Sequence, residues 1–339
     1  MRTVRILLSW VTLLAMALVI PGSSGLAQST NGTIMISVAI IAPRSPRTTV
    51  IHKRYNQELA RLTDGKVQTR VFWGGTAGDE RTVLRKLRIG QIDASPLSLE
   101  IMSQAVRQAL VLASPGLFLN YRQLDAAIAE FGTEFSAEAW SNGFKVVAWG
   151  DIGRLRLFSK ERIYSIADFK RVRPWLYPES QLLAEFYRVI GATGIPLDVT
   201  EVFGGLQTNM IDTVWATSLL SMALQWHRST HFVSKEPLGF ISGAFVFRRA
   251  LWEQLEPKHR EAFEFLTRRD ARKSQLEIRQ ADQEIFERLL TRGHTALEPR
   301  NREEWVAMGE KLRKRMIGRI YTQEIVSRAE RISAAHRTP

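Results

Sequence analysis

Residues 202–227 read VFGGLQTNMIDTVWATSLLSMALQWH, and the fold follows from how that run divides. Leu206, Gln207 and Thr208 close a helical pattern, and Asn209 tolerates the left-handed conformation in which helices end. Residues 210–214 then read as a buried strand, and a second helix follows with Trp215 and Trp226 at its two ends. Gly204 and Gly205 fall where a helix interior belongs and cost about 1 kcal/mol each relative to alanine, so the helix starts later or that end flexes. Residues 87–94, LRIGQIDA, repeat the device: a helix stopped at Gly90, a residue suited to positive φ, then Ile92, Asp93 and a small residue. Two helix-to-strand units of one kind point to two lobes built alike.

Outward from these units, the chain from 34 to 95 alternates strand and helix. Residues 34–41 form a strand, Ile51, Tyr55, Leu59 and Leu62 share one helix face, and Val67, Thr69 and Val71 alternate as a half-buried strand. A helix over 79–89 and a strand over 92–95 complete a β-α-β-α-β order, which argues for a mainly parallel sheet with helices on both faces. Strands 144–149 and 155–159 flank Gly150, Asp151, Ile152 and Gly153, a crossing into the second lobe. There Ser165 and Asp168 make a capping-box pair, residues 171–177 a strand interrupted by Pro174, and residues 180–190 a helix. The apolar run 241–247 returns to the first lobe as a buried strand. From Leu251 onward the chain reads as helix, with Trp305, Met308, Leu312 and Met316 forming one core stripe. The expected fold is α/β with two lobes and a cleft between them: residues 28–151 and 238–290 in lobe I, 152–237 in lobe II, and C-terminal helices over 291–339 packing on both.

A chain of 339 residues is long enough for two such lobes. Arg2 and Arg5, an apolar run from 6 to 20, and a small-residue segment ending at Ala27 have the layout of a secretory signal peptide, with cleavage placed after Ala27. With no cysteine in the chain, disulfides and lipidation at the cleavage site are excluded, so export delivers a periplasmic protein that is not lipid-anchored. The net charge of +13 is spread among mixed-sign helix faces without basic and aromatic interleaving, which argues against nucleic-acid binding.

Five words in order carry a family resemblance: Glu58-Leu59-Ala60 with Thr63 and Gly65-Lys66-Val67; residues 84–93; Ile166-Ala167-Asp168-Phe169-Lys170; Gly191-Ala192; and residues 206–212. Together they resemble the DctP-type solute-binding receptors of TRAP transporters, the tripartite ATP-independent periplasmic systems. The resemblance implies a type II-like periplasmic binding protein, a long helix touching both lobes, and delivery of a small organic acid or apolar compound to TRAP membrane subunits. It implies no cofactor. Receptors of this kind that bind organic acids hold the carboxylate with an arginine on the strand after Asp168-Phe169-Lys170, where a guanidinium fork matches the carboxylate. Trp175 stands at that position here, and Ala216 stands where a second polar anchor, an asparagine, is usual.

Arg171 and Arg173 share the face of Trp175 by strand alternation and are candidate substitutes. The words around Trp175 and Trp226 are similar to a subgroup associated with less polar ligands, in which a helical-repeat partner sometimes accompanies the transporter. The expected ligand-binding residues are Trp175, Tyr177, Trp215 and Trp149 as an apolar wall, with Arg154 and Arg173 as anion contacts. Trp226 and Trp252 read as core.

An enzyme needs a nucleophile, an acid–base pair or a metal. The chain has no Gly-x-Ser-x-Gly elbow, no phosphate-binding loop and no cysteine, and His227 and His231, four apart, lack a third ligand. Asp79 with Glu80, and Asp93 or Asp212 alone, are carboxylates without evident catalytic partners. The reading is a non-enzymatic receptor; the alternative is a periplasmic carrier of a hydrophobic or lipid-like ligand working without a permease.

Overall fold

The computed structural model describes residues 29–30 and 32–337, so the expected leader over 1–27 lies outside them. Both copies of the helix-to-strand device are present and share two closing hydrogen bonds. Helix Glu80–Arg88 ends before Gly90 (φ 76°), whose N–H donates to the Leu87 carbonyl at 3.3 Å, and Ile92 N–H donates to Lys86 O at 3.3 Å. Helix Val202–Gln207 ends before Asn209 (φ 58°), which donates to Leu206 O at 3.3 Å, and Ile211 N–H donates to Gly205 O at 3.2 Å.

The two aspartates match as well. Asp93 N–H donates to Ser37 O at 2.9 Å and Asp212 N–H to Arg173 O at 3.0 Å. Each carboxylate returns to the same neighbour, accepting from Ser37 N at 2.9 Å and from Arg173 N at 2.8 Å. Each also takes a guanidinium, Arg248 on Asp93 at 2.7 Å and Arg173 on Asp212 at 3.1 Å. A carboxylate has two acceptor oxygens, which suits this double clamp between adjacent chain segments.

In the first lobe, Thr33–Ala39 pairs in parallel with Val67–Phe72 and with Ala94–Ser98. The centre of the sheet is antiparallel, because Gly239–Arg248 returns between Ala94–Ser98 and Phe144–Ser159. Phe144–Ser159 is one 16-residue strand rather than two. Its far end pairs with Thr213–Ala216 and Phe232–Ser234, so it passes from one lobe into the other. Gly150 and Gly153 do not break it; they make room. A Cβ on Gly150 would lie 2.6 Å from Gln275 Oε1, and one on Gly153 2.5 Å from Asp282 Cγ, both on the 35-residue helix Pro257–Thr291.

The second lobe departs from the sequence reading at four places. Trp215 belongs to strand Thr213–Ala216; the helix is Ser218–Ala223, and Trp226 opens a separate 3-10 turn. Met210 is exposed and precedes the strand. Gly204 and Gly205 both lie inside the helix, where a Cβ on Gly205 would come within 2.7 Å of Leu197 Cδ1, so close packing accounts for that glycine. Around Pro174, which has no N–H to give a ladder, extended pairing shrinks to Trp175–Leu176 against Ile195–Pro196, and Arg171 ends a 3-10 turn instead. The C-terminal region also holds a strand, Thr295–Leu297, parallel to Phe232–Ser234, before helices Arg302–Met316 and Gln323–Ala335. Among the described residues no helix is long and apolar enough to cross a membrane.

The clamps differ in burial: the Asp93–Arg248 side chains are both enclosed, whereas Arg173 is 53% exposed. Asp93→Ala is therefore expected to cost about 3–5 kcal/mol, the range for breaking a buried pair. Asp212→Ala is expected to cost about 1–3 kcal/mol, mainly for backbone donors left without acceptors. Urea unfolding of the two variants checks this, and equal losses would contradict the burial argument.

Candidate ligand-binding site

A cavity of about 1000 Å³ lies between the lobes, and Trp149, Trp175, Tyr177 and Trp215 are among its lining residues. Trp149 sits on the long strand, and its indole N–H donates to Ser136 Oγ at 2.9 Å and Gly132 O at 3.2 Å on helix Tyr121–Ser141. Trp175 donates to Leu197 O at 2.7 Å and meets Trp226 edge to face at 5.3 Å. Trp215 donates to the Tyr187 hydroxyl at 2.9 Å, and that hydroxyl donates to Trp175 O at 2.8 Å. One tyrosine thus fixes both tryptophans of the second lobe. Phe169 stacks on Trp215 at 6.0 Å, and Phe186 meets it edge to face at 5.8 Å.

Tyr177 reaches across the cleft, where its hydroxyl donates to Glu80 Oε2 at 3.2 Å. Beside it, Arg81 pairs with Glu179 at 2.7 Å, and Gln104 donates to Glu179 at 3.2 Å. Both acids follow from local structure. Glu80 is the first residue of the helix capped by Asp79, on the face of Val83, Leu84 and Leu87, which turns it inward; its oxygens accept from Ser98 N and Ser98 Oγ, each at 2.8 Å. Glu100 follows Leu99 in the short helix Leu99–Met102 and also lines the cavity. Burial pushes the Glu80 carboxyl above its ordinary range despite those hydrogen bonds. Burial, with the Glu80 charge adding to it, pushes Glu100 up to about 7.

The expected anion contacts lie elsewhere. Arg154 lies over the Tyr121 ring at 4.9 Å and donates to Gln283 Oε1 at 2.7 Å. Arg173 is spent on Asp212, and Arg171 is an exposed partner of Asp168. None of the three is among the lining residues. Two arginines do line the cavity: Arg272, which is exposed to solvent, and Arg279, which donates to Asp151 Oδ2 at 2.7 Å and Asp125 Oδ2 at 2.9 Å. Sequence reasoning missed Glu80, Glu100 and Arg279. The signal for Glu80 was present, since its spacing to Val83, Leu84 and Leu87 is that of one buried helix face. His227 Nδ1 lies 3.1 Å from Ser221 O, and among the described residues no acid, histidine or cysteine cluster is arranged to hold a metal.

Comparison with known proteins places this geometry. The family model DctP, bacterial extracellular solute-binding protein, family 7, matches residues 38–319. The chain is 24% identical over 215 residues to the 2,3-diketo-L-gulonate-binding periplasmic protein YiaO of Escherichia coli K12, covering 62% of this chain and 64% of that protein. It is 26% identical over 171 residues to the C4-dicarboxylate-binding periplasmic protein DctP of Vibrio cholerae, covering 50% of each. The matched region thus spans less than two thirds of both relatives. Among solved structures, a TRAP periplasmic solute binding protein from Shewanella oneidensis with bound succinate superposes with a TM-score of 0.82 at 15% identity, covering 89% of this chain and 99% of that one. One from Pseudomonas putida F1 with bound D-glucuronate gives 0.77 at 22% identity, covering 88% and 97%. These likenesses establish the two-lobe α/β fold. Neither the permease-free carrier nor a helical-repeat partner gains support from them.

Tyr187→Phe would strand the Trp215 N–H and the Trp175 carbonyl together. The expected cost is about 1–3 kcal/mol for the unpaired buried groups, read from unfolding curves. A stability equal to that of the parent chain would show that the relay does not fix the two rings.

Proposed function

Because this chain belongs to the DctP family of bacterial extracellular solute-binding proteins, family 7, we propose that it is the receptor of a TRAP transporter and takes a small, largely apolar organic ligand into the cavity between its lobes. The membrane subunits of the transporter then receive that ligand. The observation that carries the reading is the wall: Trp149, Trp175 and Trp215 surround the space, and the single donor of each indole is spent inside the protein. Such rings offer apolar area and π faces and ask for little polarity in return.

The family's dicarboxylate- and uronate-binding members take anions, for which a free guanidinium is the natural partner. Here Trp175 stands at the position the resemblance gives to that arginine, Ala216 is fully buried within its strand, and Arg154, Arg171 and Arg173 are engaged away from the cavity. This supports a less polar ligand than theirs, and a subgroup of receptors with tryptophan in place of the arginine. The members of this family are solute-binding proteins, which supports a receptor rather than an enzyme.

In this reading residues 28–151 and 238–290 make the first lobe and 152–237 the second, with a hinge at the Asp151 and Leu238 crossings. Tyr177–Glu80 and Arg81–Glu179 are contacts of the closed form. Residues 1–27 direct export to the periplasm and are then removed.

The test is native mass spectrometry of the protein purified from its own cells, followed by extraction and identification of any compound it retains. A retained, mainly apolar molecule is expected, and Trp175→Ala and Trp215→Ala should each weaken its rebinding by about tenfold or more, the scale of one well-buried aromatic anchor. Unchanged affinity in both folded variants would sink the assignment of the cavity.

A further inference from the structure

We propose that the cavity selects ligands bearing an organic ammonium group, held at the carboxyl groups of Glu100 and Glu80 beside the rings of Tyr177 and Trp175. This inference rests on the reading of the cavity as the ligand site.

Charge is the first argument. The ionisable acids and bases lining the cavity are Glu80, Glu100, Asp125, Asp151, Arg272 and Arg279, apart from Tyr177. Arg279 is committed to Asp151 and Asp125 by a set of charge-assisted hydrogen bonds. Arg272 is exposed to solvent, where a hydrated guanidinium contributes little to holding a charge. That leaves Glu80 and Glu100 inside, with no cation paired to either among the described residues. An enclosed carboxylate without a counter-charge is costly, and a cation supplied by the ligand offsets that cost.

Hydrogen-bonding capacity is the second. The indole donors of Trp149, Trp175 and Trp215 are spent, and the Tyr177 hydroxyl is given to Glu80. The buried groups without partners among the lining residues are Ser242 Oγ and Trp305 Nε1, both neutral. The walls therefore offer carboxylate oxygens and aromatic faces, the two partners that suit an ammonium, and, apart from the solvent-exposed Arg272, no free charged donor for a ligand carboxylate. Tyr177 and Trp175, with ring centroids 5.9 Å apart, bring aromatic surface to the Glu80 side of the cavity.

Glu80 keeps its Ser98 hydrogen bonds, so Glu100 is the group whose ionisation a ligand would change most. The charge that bears on Glu100 is that of Glu80; Tyr177, whose hydroxyl sits on Glu80, and Tyr321, which also feels Arg313, face Glu100 as neutral phenols whose own ionisation the Glu100 charge opposes. Arg313 is itself held by Pro115 O at 3.1 Å and Glu330 at 3.4 Å. With burial raising Glu100 to about 7, a bound ammonium holds it ionised and binding releases its proton. Affinity for a cation therefore increases as pH rises from about 6 to about 8, and affinity for a carboxylate held by protonated Glu100 changes the opposite way.

The experiment uses a matched phenylalkyl ammonium, alcohol and carboxylate, titrated into the full mature chain by calorimetry with tryptophan fluorescence as a second readout. The ammonium is expected to bind about tenfold or more tightly than the other two, with the pH dependence above. Glu100→Gln, its folding checked by its unfolding curve, should erase both that preference and the pH dependence. Equal or tighter binding of the alcohol or carboxylate, or a preference that survives in Glu100→Gln, overturns the ammonium inference and leaves the cavity as the ligand site. Binding of none of the three, or binding that Trp175→Ala does not weaken, overturns the cavity reading and this inference with it.

Discussion

Gln275, Arg279 and Asp282 lie on one face of helix Pro257–Thr291, at spacings of four and three residues, and hold the long strand where it passes between the lobes. Gln275 accepts from Asp151 N at 3.2 Å and donates to Asp151 O at 2.9 Å. Arg279 binds the Asp151 carboxylate, reaches Asp125 on helix Tyr121–Ser141, and lies over the Tyr121 ring at 4.2 Å. Asp282 accepts from Arg154 N at 3.0 Å and from Leu219 N at 2.9 Å, which ties helix Ser218–Ala223 to the same strut. The enclosed Asp151–Arg279 pair adds little net stability over an apolar substitute, because both charges leave water. Its value is geometric: it fixes one helix, one strand and one lobe face at a single register, which lets the cleft have a defined shape.

From that strut the cavity inherits two different walls. The first-lobe wall carries Trp149, seated on Ser136 and Gly132, together with Glu80 and Glu100. The second-lobe wall carries Trp175 and Trp215, joined through Tyr187. Tyr177 on Glu80 is the direct hydrogen bond between an aromatic residue of one wall and an acid of the other. A movement of the lobes apart would break that contact and leave Glu80 to water. The acidic, aromatic corner thus exists as a unit only while the lobes are together.

Much of this was legible in the sequence where local rules act alone. A residue suited to positive φ after a helix, followed by Ile-Asp, marked both repeat units, and Gly90 and Asn209 do occupy that conformation. Asp93 and Asp212 read as carboxylates without catalytic partners, and they accept from backbone N–H groups instead. Four aromatic residues assigned to the cavity line it. Reading failed where distant partners decide. Gly150 and Gly153 look like breaks in isolation, yet they are smooth because Gln275 and Asp282, more than 120 positions away, need the space. Arg173 looked available for an anion because alternation aligned it with Trp175, but Pro174 cut the strand short and Asp212 took the guanidinium. Glu100 gave no local signal, since an acid in an apolar run becomes a cavity wall only through the way two lobes meet.

The measurement that bears most directly on the central claim is a crystal structure of the protein carrying the compound it retains from its own cells. The aromatic-cavity receptor predicts ligand density enclosed by Trp149, Trp175 and Trp215, with a basic nitrogen facing Glu100 and Tyr177 still on Glu80. A carboxylate held by Arg272 at the rim, or a ligand bound outside the cleft, would contradict it.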